Sequence, residues 1–526
     1  MSTVEAALIR LEKIGDYLNS ILVKETRQSF KSRQFIATFM LLLLVSWLIS
    51  LFAVLIWGDS INFGSKGRDL FLFYYTVLLV AITVIVPFGA YRSMMGEQDL
   101  NTYDLLSITT LTPRQIVWGK LLSALLQVFI YYSAIAPFIA FTALLEGFDL
   151  PAVAFSLGVG LVISFCFSVV ALMVSTAAKQ RHWQGLLSIG LLGGLVSGFF
   201  TTSIFLAQMF QFSNPFEEPN FWWGVLITLM IVLSYAWLCL QITTAQLTFE
   251  AGNRSSGIRI TSTLQLLLIW GGVTAYFVYQ SRTSDLTDYL LPMSIVTILH
   301  LSMLGLAAST EEDYLSRRIR KSLPKSGVAR LIYAPFLPGG SRGFACFLGI
   351  MALLLGFQCL WLSLEGYSFN GQRSFNAALA LDCYLVIYLG IGCWFGRFAS
   401  KLSSDIRPGH VRVLIILMAA AGMIVPVITA SFDWISFNRF SLAWVSNPIM
   451  TVPYIASDNY EAKKSITILL FAAGTAILIN VRAMFLALSE IANAKVERPL
   501  RPVVENHPFQ IPAASDVLPD PSSMES

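Results

Sequence analysis

An all-α polytopic membrane protein, with about twelve transmembrane helices arranged six plus six behind an N-terminal interfacial amphipathic helix, is the fold class the sequence predicts. Three observations predict it. The 526 residues are 56% hydrophobic and only 13% charged, and the mean hydropathy of +0.68 lies far outside the soluble range. Twelve almost uncharged runs each approach the roughly 20 residues that a helix needs to cross about 30 Å of hydrocarbon. Lysine and arginine also collect in alternate loops, as expected where positive flanks resist translocation.

The elements follow in order. Residues 1–35 form a separate cytoplasmic unit. Val4, Leu8, Leu11, Leu18 and Leu22 recur at helical spacing, with Arg10, Lys13, Lys24, Arg27, Lys31 and Arg33 as cations. Such a helix is expected to lie in the headgroup plane, its leucines in the acyl boundary and its cations on anionic lipid; a plain topological anchor is the alternative. The first span begins after a long charged segment, and no small-residue cleavage site follows it, so it reads as an anchor rather than a removable signal.

The apolar runs lie near 36–57, 70–90, 121–145, 152–177, 185–209, 222–245, 263–280, 289–309, 344–364, 376–396, 413–431 and 465–488. They divide into a six-span bundle at 36–247, a polar cytoplasmic linker at 248–262 and a second six-span bundle at 263–490. With both termini cytoplasmic, 27 of the 35 basic residues lie inside, seven outside, and Arg482 within a span. The loop at 316–330 alone holds six of them, "SRRIRKSLPKSGVAR". Membrane topology thus accounts for the net charge of +4, and a nucleic-acid partner is not needed.

A duplicated plan is suggested twice over. In each half a sizeable cytoplasmic loop follows the second span, at 91–120 and 310–343. In each half the fifth and sixth spans are joined outside by a loop with Ser-Asn-Pro, at 213–215 and 446–448. The longest external connection, 432–464, carries Trp434, Phe437, Phe440, Trp444 and Tyr454 and is expected to fold against the outer membrane face. The tail at 491–526 is proline-rich and aperiodic, and reads as disordered.

Chemistry-bearing groups are few. All six cysteines fall in apolar spans without CxxC spacing, which argues against a disulfide framework or a zinc site. His300 and Asp382 break the neutrality of their spans. An ionisable group there costs about 2.5–3.5 kcal/mol to insert unless paired or solvated, so the two are a candidate intramembrane polar site; hydrogen-bonded glue between helices is the alternative. Arg482 lies close enough to the inner end of its span to snorkel.

The most informative stretch is "MMGEQDLNTYDLLSITTLTPRQIVWGKLL", 94–122, polar between two apolar runs. Residues 97–108 can form a short helix with Leu100, Tyr103 and Leu106 on one side. Thr112 can then cap a new helix, with Pro113 at its first position and Gln115 placed to complete a capping box. A short helix joined rigidly to the next span transmits a push.

Glu97, Thr102, Leu105, Leu106, Thr109, Leu111, Thr112, Pro113, Ile116, Gly119 and Lys120 resemble the coupling loop after the second span of type-2 ABC exporter permeases. A second stretch, "NSILVKETRQSFKSRQF" at 19–35, resembles the segment before the first span in many bacterial members, through Asn19, Leu22, Lys24, Glu25, Arg27 and Arg33. Ser20 departs from the proline often found there, which leaves the start of that helix open. The two matches cover about 19–122, and the six-span layout extends the likeness to about 245.

The resemblance implies a multi-pass protein of the bacterial inner membrane. Its loop at 94–120 would dock on a separate cytoplasmic ABC ATPase, with Glu97, Asp99 and Asp104 as partners for basic residues of that subunit. No G-x-x-x-x-G-K-[ST] phosphate loop occurs in the chain, so ATP and Mg would belong to the partner and no cofactor to this chain. One chain could supply both bundles, or pair with a second copy or a second permease. An ion-gradient transporter of the twelve-span type is the alternative, although its G-x-x-x-D-R-x-G-R-R signature is absent. A polytopic enzyme finds less support: there is no H-E-x-x-H, and the four histidines are scattered.

Overall fold

The structure, a computed structural model, describes residues 19–58, 66–99, 111–145, 149–177, 181–209, 216, 218–249, 251–402, 407–432 and 440–493. Among them are sixteen helices and no strand. Helix α1 (Ser20–Phe30) leads into the first bundle: α2 (Arg33–Trp57), α3 (Lys66–Glu97), α4 (Pro113–Thr142), α5 (Leu150–Ala177), α6 (Trp183–Met209) and α7 (Pro219–Leu247). The second begins with α8 (Ser256–Tyr279) and α9 (Thr283–Ser309), passes through the short α10 (Arg317–Lys321) and α11 (Gly327–Tyr333), and continues with α12 (Gly340–Glu365) and α13 (Phe369–Ala399). It closes with α14 (Pro408–Ser431), a short α15 (Pro448–Ala456) and α16 (Tyr460–Ala492). Twelve of these helices are long and apolar enough to cross a membrane, as the sequence predicts.

Several helices extend past their apolar runs, because polar residues near the ends find partners. The clearest case is α8, which starts at Ser256 rather than near 263, so half of the expected linker is helical. Arg259, one turn in, is buried and bonds Glu311 at 2.7 Å. The end of the molecule carrying Lys120, Arg259 and Arg342 is called the basic end below.

In the first bundle α3 is the central helix, with Leu70, Phe71, Tyr74, Leu78 and Ile82 buried against Leu121 and Val128 of α4 and Val169 and Leu172 of α5. Apolar surface alone does not drive helices together in lipid, so small residues and hydrogen bonds do the fastening. Gly160 of α5 lets the hydroxyls of Tyr75 and Tyr132 approach its backbone, and Tyr132 donates to Leu157 O at 2.7 Å. Within α3 the residues Val80–Ile85 form a π turn, a widened register that frequently marks a working region of a helix. Ser164 Oγ of α5 donates to the Ile82 carbonyl there at 2.6 Å.

In the second bundle the central helix is α13, the fourth span of that half rather than the second. The two halves thus share a span count but not a burial pattern. They meet along α7 and α8, where Trp223 packs on Tyr276 and Tyr279 and Asn220 Oδ1 accepts from Gln280 at 3.2 Å.

The connection after α14 differs from expectation from residue 440 onward, Trp434 and Phe437 lying outside the described residues. Trp444 is buried and α15 packs against α13, so this segment enters the core instead of resting on the membrane face. Asn447 fixes it by capping α15 at Met450 N (3.2 Å) and donating to Met423 O (2.8 Å). The matching Ser213-Asn214-Pro215, and the tail from 494, lie outside the described residues. The basic run at 316–330 is tethered through Leu315, Ile319 and Leu323, which pack with Leu337 and Ile491.

Candidate functional site: an ionic clasp at the basic end

Helix α1 starts where Asn19 caps it. Its Oδ1 accepts from Ile21 N at 3.1 Å, while its Nδ2 donates to Gln115 O of α4 at 2.6 Å. A single side chain therefore begins one helix and ties it to another, and Ser20 serves as the first helical residue without proline. Ile21 then packs onto Gly119. A Cβ at that glycine would stand 2.8 Å from Ile21 Cγ2 and 2.9 Å from its Cβ, so only glycine allows the two helices to lie this close.

One turn further along α1, Glu25 meets Lys120. Lys120 Nζ lies 2.8 Å from Glu25 Oε1 and 3.3 Å from Glu97 Oε2, and donates to Ser93 Oγ at 2.8 Å. Ser93 Oγ in turn donates to Glu25 Oε2 at 2.7 Å, and Lys24 bonds Glu97 at 3.0 Å. Lys120 is 3% exposed, Glu25 6% and Glu97 9%. Two carboxylates and two ammonium groups thus close a neutral network joining α1, α3 and α4. Burial by itself pushes the Glu25 carboxyl up; the Lys120 charge, the hydrogen bonds from Lys120 and Ser93, and the charge of Lys24 together hold it below its ordinary value.

The start of α4 matches its expected form. Gln115 N donates to Thr112 Oγ1 at 3.3 Å and Thr112 N to Gln115 Oε1 at 2.8 Å, with Pro113 at the first position. Ile116 is buried and Leu111 half-buried. A cavity of about 490 Å³ opens beside the clasp, reaching from Gln28 and Arg92 at its mouth to Phe35, Ile85 and Tyr131.

The structure therefore brings together Asn19, Lys24, Glu25, Glu97, Gly119 and Lys120, residues drawn from both sequence motifs. Leu22 is half-buried, and Arg27 and Arg33 are exposed. Thr102, Asp104, Leu105, Leu106 and Thr109 lie outside the described residues.

Three expectations change. Glu97 was expected to face a basic partner subunit, yet its carboxylate is engaged by Lys24 and Lys120 of its own chain. Of the helix expected at 97–108, residues 97–99 continue the helix of the second span and 100–108 lie outside the described residues. Helix α1 does not simply float in the headgroup plane, because Ile21 and Glu25 turn inward onto α4. Ser93 escaped the sequence reading, although its place one turn before Glu97 puts it on the same helix face.

The second bundle carries a counterpart at the same end. Arg259 Nη2 bonds Glu311 at 2.7 Å, and its Nη1 donates to the carbonyls of Pro335 (2.9 Å) and Leu337 (2.5 Å). Glu311 accepts from Gly339 N at 3.0 Å and Asp313 from Ser341 N at 2.9 Å, so both acids sit at the N-terminus of α12, where the helix dipole favours negative charge. Glu311 and Asp313 of the loop at 310–343 are thus helix-end ligands.

His300 and Asp382 do not form one site. The His300 ring contacts Tyr235 of α7, with centroids 5.3 Å apart, whereas Asp382 faces Gln358 of α12. Among the described residues no group of three or more His, Cys, Asp or Glu is placed to hold a metal. Comparison of the chain with protein-family models, curated proteins and solved structures gave no match.

Proposed function

We propose that this twelve-span membrane protein is the permease subunit of an ABC transporter of the type-2 exporter kind, driven by a separate ATPase that binds at the basic end, on the cytoplasmic side of a bacterial inner membrane. The observation that carries the reading is the meeting of the two motif segments at Lys120. A permease moved by an outside ATPase needs a place where force on one loop becomes motion of several helices. Load arriving at 100–110 would enter α4 through the capped Thr112–Gln115 turn. From Lys120 it would pass to α1 through Glu25 and to α3 through Glu97 and Ser93, because those side chains are bonded to one ammonium group. In this reading the chain binds no nucleotide; the partner holds ATP and Mg and performs the hydrolysis.

The test is purification of the solubilised protein from its native host, followed by an ATPase assay. An ATPase should co-purify and be lost on Leu105→Asp, a change that replaces none of the clasp residues. Transport that proceeds without any associated ATPase and collapses with the proton gradient would refute the proposal in favour of a secondary transporter.

A further inference from the structure

Asp382 lies midway along α13, the most enclosed helix of the second bundle, and is 6% exposed. Its carboxyl rests against the side-chain amide of Gln358 on α12, which is fully buried. Gln358 Nε2 donates to Ser294 Oγ of α9 at 3.2 Å. The Gln358 amide is the one donor set against the Asp382 carboxyl, and no hydrogen bond of normal length reaches either Asp382 oxygen or Gln358 Oε1. Nearby donors are already engaged: Trp270 Nε1 on Thr297 Oγ1 (3.0 Å), Trp361 Nε1 on Thr274 Oγ1 (2.7 Å) and the Tyr384 hydroxyl on Val445 O (2.5 Å). Buried polar atoms are nearly always partnered, so three unpartnered oxygens on two adjoining side chains mark something that the protein atoms alone do not supply.

No cation of the chain supplies it, for no ion pair among the described residues involves Asp382. On α9, His300 turns to Tyr235, while Asp288 and Tyr289 are exposed. On α12, Cys359 is exposed, and Arg342 and Cys346 lie near the basic end and Glu365 at the other. Helix α14 carries His410 and Arg412 in its first turns and no ionisable residue after them, and α16 has none between Lys464 and Arg482. Tyr454 of α15 meets the Phe440 ring at a tilt. On α13 itself Cys383 is the chain neighbour and Tyr388 bonds Ser446 O. A hard metal cation would find four oxygens from Asp382, Gln358 and Ser294, fewer than the six or more such ions gather. A proton fits better: on one Asp382 oxygen it removes the charge and creates an O–H donor for Gln358 Oε1, satisfying two unpartnered atoms at once.

We propose that Asp382, with Gln358 and Ser294, is a proton-binding site that joins α9, α12 and α13. The proton is taken from water onto a carboxyl oxygen. Its return to water leaves a carboxylate with no partner, which the helices must separate or hydrate to tolerate. Packing of the second bundle is thereby tied to proton concentration, whatever energy source drives the first.

Treat the full chain, in liposomes, with dicyclohexylcarbodiimide, which attacks protonated carboxyls in apolar surroundings, and follow the Asp382 peptide by mass spectrometry from neutral to alkaline pH. An adduct on Asp382 that diminishes as pH rises is expected, together with a melting temperature that drops on alkalinisation in the wild type and not in Asp382→Asn. The proposal is overturned if the recovered peptide is unmodified at every pH, or if sodium at constant pH and ionic strength blocks the modification, which would assign the site to a metal cation. Labelling of the wild type decides the matter even if the variant does not fold.

Discussion

Replacing Lys120 with methionine keeps the length of the side chain and removes the ammonium group shared by Glu25 and Glu97. With the charges 2.8 Å apart, Coulomb's law at an effective dielectric of about 20 puts the Glu25 contact near 6 kcal/mol before desolvation is subtracted. Removing one partner of a buried pair typically costs about 3–5 kcal/mol, because the other charge stays buried without compensation. Glu25 would keep only Ser93 as a close donor, with Lys24 further off.

The expected result is local release of α1 rather than global unfolding, and amide hydrogen exchange reads such opening directly. At 1.4 kcal/mol per decade, exchange across 20–30 should speed up by about 10²- to 10⁴-fold. Arg27→Met, on the exposed face of the same helix, is the control. If Lys120→Met exchanges no faster than Arg27→Met, the clasp does not hold α1. Adding Glu25→Gln to Lys120→Met should restore most of the protection, since two neutral partners leave no bare charge.

Two further outcomes follow. The Glu25 carboxyl titrates in the folded state below its ordinary value of 4.5, so its stabilisation is complete above that value and is lost as pH falls toward the folded one; exchange of α1, corrected for intrinsic rate, should rise on acidification below about 4.5 in the wild type and stay flat in Glu25→Gln. Gly119→Val places atoms within 2.9 Å of Ile21 and should displace α1 from α4 at a cost of about 1–3 kcal/mol, seen as cysteine accessibility at position 21 in an Ile21→Cys background.

What the sequence reveals and what it hides divide by distance along the chain. The spans are legible because apolar length is a local property, and the Thr112–Gln115 turn is legible because a capping box occupies four consecutive residues. The role of Glu97 is not, since its carboxylate answers to Lys24, 73 residues away, and to Lys120. The inward face of α1 was recoverable in part: Ile21 and Glu25 stand four apart and share a side, but the leucine stripe through Leu18 and Leu22 draws the eye to the lipid instead. Asp382 was visible as an oddity in an apolar run. Its surroundings were not, because Gln358 and Ser294 come from other spans and neither is unusual where it stands.

The union of the two bundles along α7 and α8 has a consequence of its own. Near Trp223 and Tyr279 the two helices part, leaving a wedge of about 320 Å³ lined by Leu226, Met230, Leu268 and Tyr276. Its walls are apolar, a surface that hydrocarbon satisfies better than water. The fit between the halves is therefore set in part by the lipid around them as well as by the two cores, and mismatch with that lipid costs only fractions of a kcal/mol per ångström.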